Sequence, residues 1–445
     1  MNAKQILLII AATGGLPVLR AAADSQAYTM TWMQTGFFNQ RDGADGVAVD
    51  SNDQIYVAGE TGPIYGSGVS GPEPGFVAKY NPAGTQQWLA PAYSTGVAEQ
   101  PHGVVVDSSN NVYMAGDTYR YPGGTNGFLV KYDSSGNRLW EAHVGLPNPN
   151  NVFNSDLAVD FIGNVYVSGS TNGFIVPGNV SHPTDGYIIK YASDGSETWR
   201  KEFPDALGDF TNAISIDSSE NIFVTGMRAS VDTYIAKLDP NGNVLWRITP
   251  NLSVVGGRHT ELYDSVLDSA GDLYVVGSTN SYYDNAYGYV ATDGVVAKYD
   301  TNGVLLWQRQ IAMRTFDDLT HVTLDASGNV YVAGETFDIP GQLSGVANSM
   351  WAKYDPSGNL LWLQEFGTPE RDEATGIAVD KAGHVYISGD ISRDVPDSMN
   401  PNNSYFNGDV DAYVARFDAV PEPASLLLAT CAAVGLAFRR SNAWI

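Results

Sequence analysis

One unit recurs seven times along this chain, and that count constrains the fold more than any other property of the sequence. Its cleanest copy runs from Thr320 to Trp362: THVTLDASGNVYVAGET, a variable loop, then NSMWAKYDPSGNLLW. Aligned on the aspartate that ends the first strand, the copies fall at Asp50, Asp107, Asp160, Asp217, Asp268, Asp325 and Asp380, spaced 57, 53, 57, 51, 57 and 55 residues apart. Each copy reads as four short strands. An apolar run (GVAVD, GIAVD) is followed by a turn (SSNN, ASGN) and a second run (VYMAGDT, VYVAGET). After a loop of variable length comes a third run (GFVAKY, GYIIKY, MWAKY), then a tight turn (DSSGN, DPNGN) that opens a fourth, tryptophan-bearing run.

The residue types fit those assignments. Asp at the head of a turn accepts backbone N–H groups two residues on, Pro fixes φ, and Gly or Asn takes φ > 0. The runs are β-branched and aromatic, as meander strands prefer. No long segment carries apolar residues at helical spacing, so an all-β body is expected between two apolar termini. Four short antiparallel strands repeated at this period predict a β-propeller.

Closure follows from the tryptophans. Trp88, Trp140, Trp199, Trp246, Trp307 and Trp362 end copies one to six, whereas copy seven stops at Phe417-Asp418. The missing strand stands at the other end of the chain: Thr31-Trp32-Met33-Gln34 parallels Leu361-Trp362-Leu363-Gln364. The expected architecture is therefore a seven-bladed propeller over residues 28–418 whose last blade is completed by the N-terminal strand, hiding an open edge. Copy four departs most from the pattern, with Met227 where others have Glu, Asp or Ser, and with a loop of only a few residues. The motifs D-x-x-G-N-V-Y-V-x-G-x-T and K-Y-D-x-x-G-x-x-x-W resemble the SBBP (seven-bladed β-propeller) repeat family across nearly all of this span. That family is an architecture, and the resemblance carries no catalytic residue with it.

The ends have other tasks. MNAKQILLIIAATGGLPVLRAAADS combines Lys4, an apolar run and Ala21-Ala22-Ala23, the order of an export signal over residues 1–23. Residues 420–445 place Pro421-Glu422-Pro423 before about fifteen apolar residues and then Arg439-Arg440. The run is short for a stable span, and the arginines would hold the tail cytoplasmic. Short apolar helices are expected at both termini. This tail resembles the PEP-CTERM sorting signal of Gram-negative and related bacteria, also catalogued as an ice-binding-protein C-terminal motif. The resemblance implies recognition by an exosortase-type membrane enzyme and delivery to the outer surface, commonly alongside exopolysaccharide. The extension SNAWI after the arginines departs from it.

Charge narrows the partners. Residues 24–420 hold 20 bases and 48 acids, a formal −28. Such a polyanion is repelled by phosphate backbones and anionic lipid, which argues against nucleic acid. The only cysteine, Cys431, lies in the tail, so the body has no disulfide, cysteine metal site or thiol nucleophile.

Residues present in every copy are assigned to folding: Lys79, Lys131, Lys190, Lys237, Lys298 and Lys353 with Arg416, and the tryptophans as inter-blade packing groups. Function is expected where repetition breaks, on the face carrying the variable loops. Three sets stand there. Glu60, Asp117, Glu335 and Asp390 end second strands and are candidate oxygen ligands for Ca²⁺; local turn bonding is the alternative. Asp45, His102, Asp156, Asp264 and His321 stand just before the innermost strands and, if register holds, line the channel mouth, where the imidazoles could do acid–base work. Tyr119, Tyr121, Tyr282, Tyr283, Tyr287 and Tyr289, with Tyr405 and Phe406, suit stacking on sugar rings. The expected function is an exported binding or scaffold module, with polysaccharide or a surface protein as partner and no catalytic residue assigned. The alternative is an extracellular enzyme: a quinoprotein-like one, against which the Asp-Gly-Trp spacing and absent vicinal cysteines weigh, or a carboxylate-based glycan-active one, which leaves no linear signature.

Overall fold

The computed structural model describes residues 28–35, 41–62, 74–92, 98–120, 124–144, 152–171, 185–203, 209–228, 232–252, 260–284, 289–313, 316–337, 347–367, 371–392 and 410–419. The expected terminal helices lie outside the described residues, and no described helix is long and apolar enough to cross a membrane. The 28 described strands form five four-stranded sheets and one eight-stranded sheet. The larger sheet is two four-stranded meanders joined by a single parallel bridge, Thr292 to Phe316. Seven four-stranded blades result, as the repeat count requires. Their innermost strands (Arg41–Val49, Ala98–Val106, Val152–Val159, Asp209–Ile216, Thr260–Leu267, Phe316–Leu324 and Arg371–Val379) neighbour one another in a closed ring.

The turns explain why each blade folds where it does. In blade two, Asp107 accepts the backbone N–H of Ser109 and Asn111 at 2.9 and 2.8 Å, Asn111 Nδ2 at 2.8 Å and the Tyr113 hydroxyl at 3.0 Å. The same aspartate recurs in every blade, so the residue that marks the repeat is the one that ties the first turn to the core. The left-handed position of this turn is Gly in four blades, but Asp53, Asn110 and Glu220 occupy it at φ 59, 62 and 61° in the others. An Asp107→Ala variant strips four hydrogen bonds, one of them from the buried Tyr113 hydroxyl. The expected loss is about 3 kcal/mol in urea unfolding; a loss within 0.5 kcal/mol, roughly the size of a neutral surface change, would show the turn to be decorative.

Neighbouring blades are joined by the tryptophans. Indole N–H groups of Trp88, Trp140, Trp199, Trp246 and Trp307 donate to a turn carbonyl of the next blade at 3.0–3.3 Å (Ser134, Ser193, Pro240, Thr301 and Pro356). Each ring also lies against the turn glycine of that blade. A Cβ on Gly136 would meet Trp88 at 2.8 Å, and at φ 85° that glycine already sits where side chains are disfavoured. The repeated lysines stand over the second-strand ring at 4.7–5.1 Å, for example Lys131 over Tyr113. Both repeated sets are thereby accounted for by packing.

Closure takes the expected route. Tyr28–Thr35 pairs antiparallel with Val410–Ala419, giving the sheet of blade seven its outer strand. Trp32 then makes the same bond as its counterparts, donating to Pro82 O of blade one at 3.0 Å. One tryptophan has no such acceptor. Trp362 faces blade seven, whose outer turn is replaced by the two chain ends; its N–H is unpartnered and its ring packs at 4.7 Å from Tyr28 and 4.3 Å from Trp351.

Candidate functional site: the axial cavity

All seven innermost strands carry a β-bulge at the same place. The ladder slips across Asp45, His102, Ser155, Asn212, Tyr263, Thr320 and Thr375, each five residues before the turn aspartate. A bulge inserts a residue and re-aims its side chain. Here the inserted residue is polar in every blade, yet no two neighbouring blades carry the same one except six and seven. The fold therefore repeats while the chemistry around the axis does not.

Six of these residues, all but Thr375, form a collar on a cavity of about 470 Å³ that runs along the axis and is lined from all seven blades, blade seven contributing Gly376 and Ile377. Below the collar the walls are apolar, with Val104, Val106, Ile214 and Val266 among them. Asp45, His102, Asp156, Asp264 and His321 all line it, from within the innermost strands rather than just before them, and among the described residues no Lys or Arg does. Three of these five are not bulge residues. Asp156, Asp264 and His321 follow the bulge by one, because the inserted residue shifts the alternation that a sequence count relies on. Ser155, Asn212, Tyr263 and Thr320 were the lining residues that reading passed over, and their constant offset from the turn aspartate was the available signal.

Several collar groups also hold the ring together. Asp156 accepts the N–H of Leu157 at 2.7 Å and that of Ile214, in blade four, at 2.8 Å. Asp264 repeats the construction two blades on, with Ser265 N at 2.6 Å and Val322 N at 2.8 Å. Asn212 donates to Leu262 O at 2.9 Å and Thr320 to Ala374 O at 3.3 Å. At the closing seam Thr375 donates to Ala44 O, while Asp390 accepts Ala44 N at 2.9 Å.

Burial sets the electrostatics of the collar. It raises Asp264 to about 7 against the pull of its two N–H donors. Asp156 is raised by burial and then by the charge of Asp264. Asp45 is raised by burial, then by the charge of Glu60 and a side-chain hydrogen bond with it, and then by the charge of Asp390. Burial lowers His321 to about 4, so the ring is neutral at physiological pH.

The signs give a pH profile. For the three raised carboxyls, stability is fully present below the unfolded value and is lost as pH rises, for Asp264 through about 7. His321 opposes them: its contribution is present above the unfolded imidazole value and is lost as pH falls through about 4. Three groups outweigh one, so the melting temperature is expected to fall from mildly acidic pH towards neutrality. Asp264→Asn flattens that decline, removing up to about 1.4 kcal/mol per pH unit. A mutant profile parallel to the parent's over pH 4.5–8, roughly the window of these two groups, would contradict the assignment.

The other two candidate sets fare differently. The four proposed Ca²⁺ ligands do not meet. Asp117 contacts His102 Nε2 at 3.0 Å and accepts Asn154 N at 2.8 Å; Glu335 pairs with Arg371 at 3.1 Å; Asp390 holds the closing seam; Glu60 lies beside Asp45 and over Gly43. Each acts locally, three of them across an inter-blade seam. Among the described residues no group of three or more His, Cys, Asp or Glu is placed to hold a metal ion.

Of the aromatic set, Tyr282, Tyr283 and Tyr289 fall on one long hairpin of blade five, Leu273–Asp284 paired with Tyr289–Tyr299, where Tyr283 opposes Val290 and Asp284 opposes Tyr289. Tyr119 ends a second strand opposite Thr125. Tyr121, Tyr287, Tyr405 and Phe406 lie outside the described residues, as do Pro421, Glu422, Pro423, Arg439 and Arg440.

Residues 125–342 match the family model described as outer membrane protein assembly factor BamB. An uncharacterized WD repeat-containing protein, L264 of Acanthamoeba polyphaga mimivirus, is 22% identical over 77% of this chain and 28% of its own length. The regulatory protein FlaEY of Caulobacter vibrioides is 27% identical over 28% of this chain and 14% of its own. The chain thus spans less than a third of the length of either curated relative. Among solved structures, a Bacteroides caccae protein of unknown function aligns at TM-score 0.41 and 11% identity, covering 74% of this chain and 94% of that one. A Dyadobacter fermentans protein of unknown function aligns at 0.45 and 12%, covering 88% and 99%. The chain is a β-propeller repeat protein.

Proposed function

We propose that this propeller is an exported binding module, held at the outer cell surface or in the extracellular matrix, that recognises a hydroxyl-rich partner such as exopolysaccharide. The observation that carries the reading is the non-repeating polar collar on an otherwise repeated scaffold. A cavity rimmed by carboxyls, an amide and hydroxyls, with apolar walls beneath, offers both hydrogen bonding and a surface for a pyranose face. The blade-five hairpin carries Tyr282, Tyr283 and Tyr289 on its strands at the loop-bearing end, and the absence of Lys or Arg among the described lining residues favours neutral over polyanionic glycans. Export and delivery rest on the two terminal sequences, with a SBBP-type repeat array as cargo and an exosortase-type enzyme as processing partner. A glycan array probed with the full chain is the test. Neutral glycans should bind and binding should weaken in Tyr282→Ala/Tyr283→Ala; an array without hits removes the reading.

One observation favours a second reading. Asp117, buried at 1% exposure, lies 3.0 Å from His102 Nε2, and His102 lines the cavity. This base-plus-orienter arrangement suits acid–base chemistry on a bound glycan. Release of reducing ends from a bound glycan, lost in His102→Gln with affinity kept, would establish it.

A further inference from the structure

The two ends of the disc differ in a way the binding reading does not use. Ten large apolar side chains are exposed among the described residues, and all ten lie at the end that carries the tight turns. Phe161 and Ile162, 64% and 55% exposed, form the tip of the first turn in blade three, where other blades place Ser, Ala, Asn or Lys. Leu245, Leu306 and Leu361 stand at the start of the outer strands of blades four, five and six, and Met30 continues the arc into blade seven. Blades one and three have Gln87 and Thr198 at the equivalent positions, so the arc is not a requirement of the blade.

The chain leaves the disc at this same end. Ala419 pairs with Tyr28, Phe417 opposes Val385 just after a first turn, and Asp418 lies 3.8 Å from His384 in that turn. Four residues then separate Ala419 from the apolar segment 424–438. Fully extended, that spacer reaches about 17 Å. Any apolar layer that the segment enters must therefore lie close to the tight-turn end, whatever conformation the spacer takes.

We propose that the tight-turn end docks on the lipid bilayer that residues 424–438 enter, with the polar collar and the loop-bearing end turned away from it. This rests on the membrane-directed reading of the tail and holds for as long as the tail remains attached. Apolar tips at this density sink about 5–10 Å into the headgroup boundary. The turns between them carry Asp133, Asp239, Asp300 and Asp355, which hydrogen bonds from Asn or backbone N–H hold below the usual carboxylate range. Anionic lipid is therefore repelled, and the surface recognised is zwitterionic phospholipid.

The test uses the full chain in phosphatidylcholine vesicles, with Cys431→Ser to clear the native thiol and one fluorophore placed at Leu245→Cys, Leu306→Cys or, at the loop-bearing end, Pro74→Cys. Bilayer-borne quencher is expected to act at least about twofold more strongly at the first two sites than at the third. Leu305→Ser/Leu306→Ser should reduce quenching at the Leu245 site, and so should phosphatidylglycerol. Equal quenching at all three sites, or stronger quenching at the Pro74 site, overturns the orientation while leaving the tail reading intact. Failure of the chain to float with vesicles overturns both.

Discussion

A chain beginning at residue 36 will not fold cooperatively. The strand Tyr28–Thr35 pairs along Val410–Ala419 and is the outer strand of blade seven. Without it the edge of the last blade is open, Trp32 no longer bridges to Pro82 of blade one, and Tyr28, 5% exposed, no longer covers Trp351 and Trp362. Losing a packed tryptophan costs about 3–5 kcal/mol by itself, and a typical domain has about 5–15 kcal/mol to lose. The expected result is a broad, non-cooperative melt and association through the exposed edge in size-exclusion chromatography. Rescue gives the sharper arm. Appending residues 28–35 after Ala419 through an Asp-Pro-Asn-Gly-Asn turn reattaches the outer strand of blade seven and should restore a cooperative transition. If the shortened chain melts sharply near the parent temperature, or the appended strand rescues nothing, closure by the N-terminus is not what holds the ring.

The second large effect is on destination rather than folding. Replacing Pro421, Glu422 and Pro423 by alanine should leave the melting temperature unchanged, because the last described strand ends at Ala419. Delivery, in contrast, should fail: the protein is expected to remain in the cell envelope with its tail intact by mass spectrometry, instead of appearing processed at the surface. Normal processing and localisation of the triple variant would contradict the sorting reading, and with it the membrane enzyme as partner.

The architecture was legible because its signals are local. Turn chemistry at Asp107 or Asp355, strand composition and a tryptophan every fifty-odd residues can all be read without knowing what touches what. The stray tryptophan at position 32 was enough to place the closing strand, since one blade lacked what one terminus had in excess. The collar was legible only in part. The polar set expected at the channel mouth does line the cavity, yet only Asp45 and His102 are bulge residues, while Asp156, Asp264 and His321 follow the bulge by one. A bulge is a property of the pairing of two strands, and one strand's alternation does not record it. The seam contacts were not legible at all. That Asp390 accepts Ala44 N, 346 residues away, or that Glu335 meets Arg371 of the next blade, depends on ring closure. Without the ring, four carboxylates at one repeat position suggest a shared ion. With it, they are distributed around the disc.

If the blades are scaffold, recognition lies in what differs between them around the axis. Glycan binding by the full chain measures this directly when compared with Ser155→Tyr, which crowds the cavity from a bulge, and with Lys79→Met, which alters a repeated residue far from it. Affinity should fall at least about tenfold in the first, equivalent to 1.4 kcal/mol, and stay within experimental error in the second. Equal losses in both variants, or none in Ser155→Tyr, would contradict the claim.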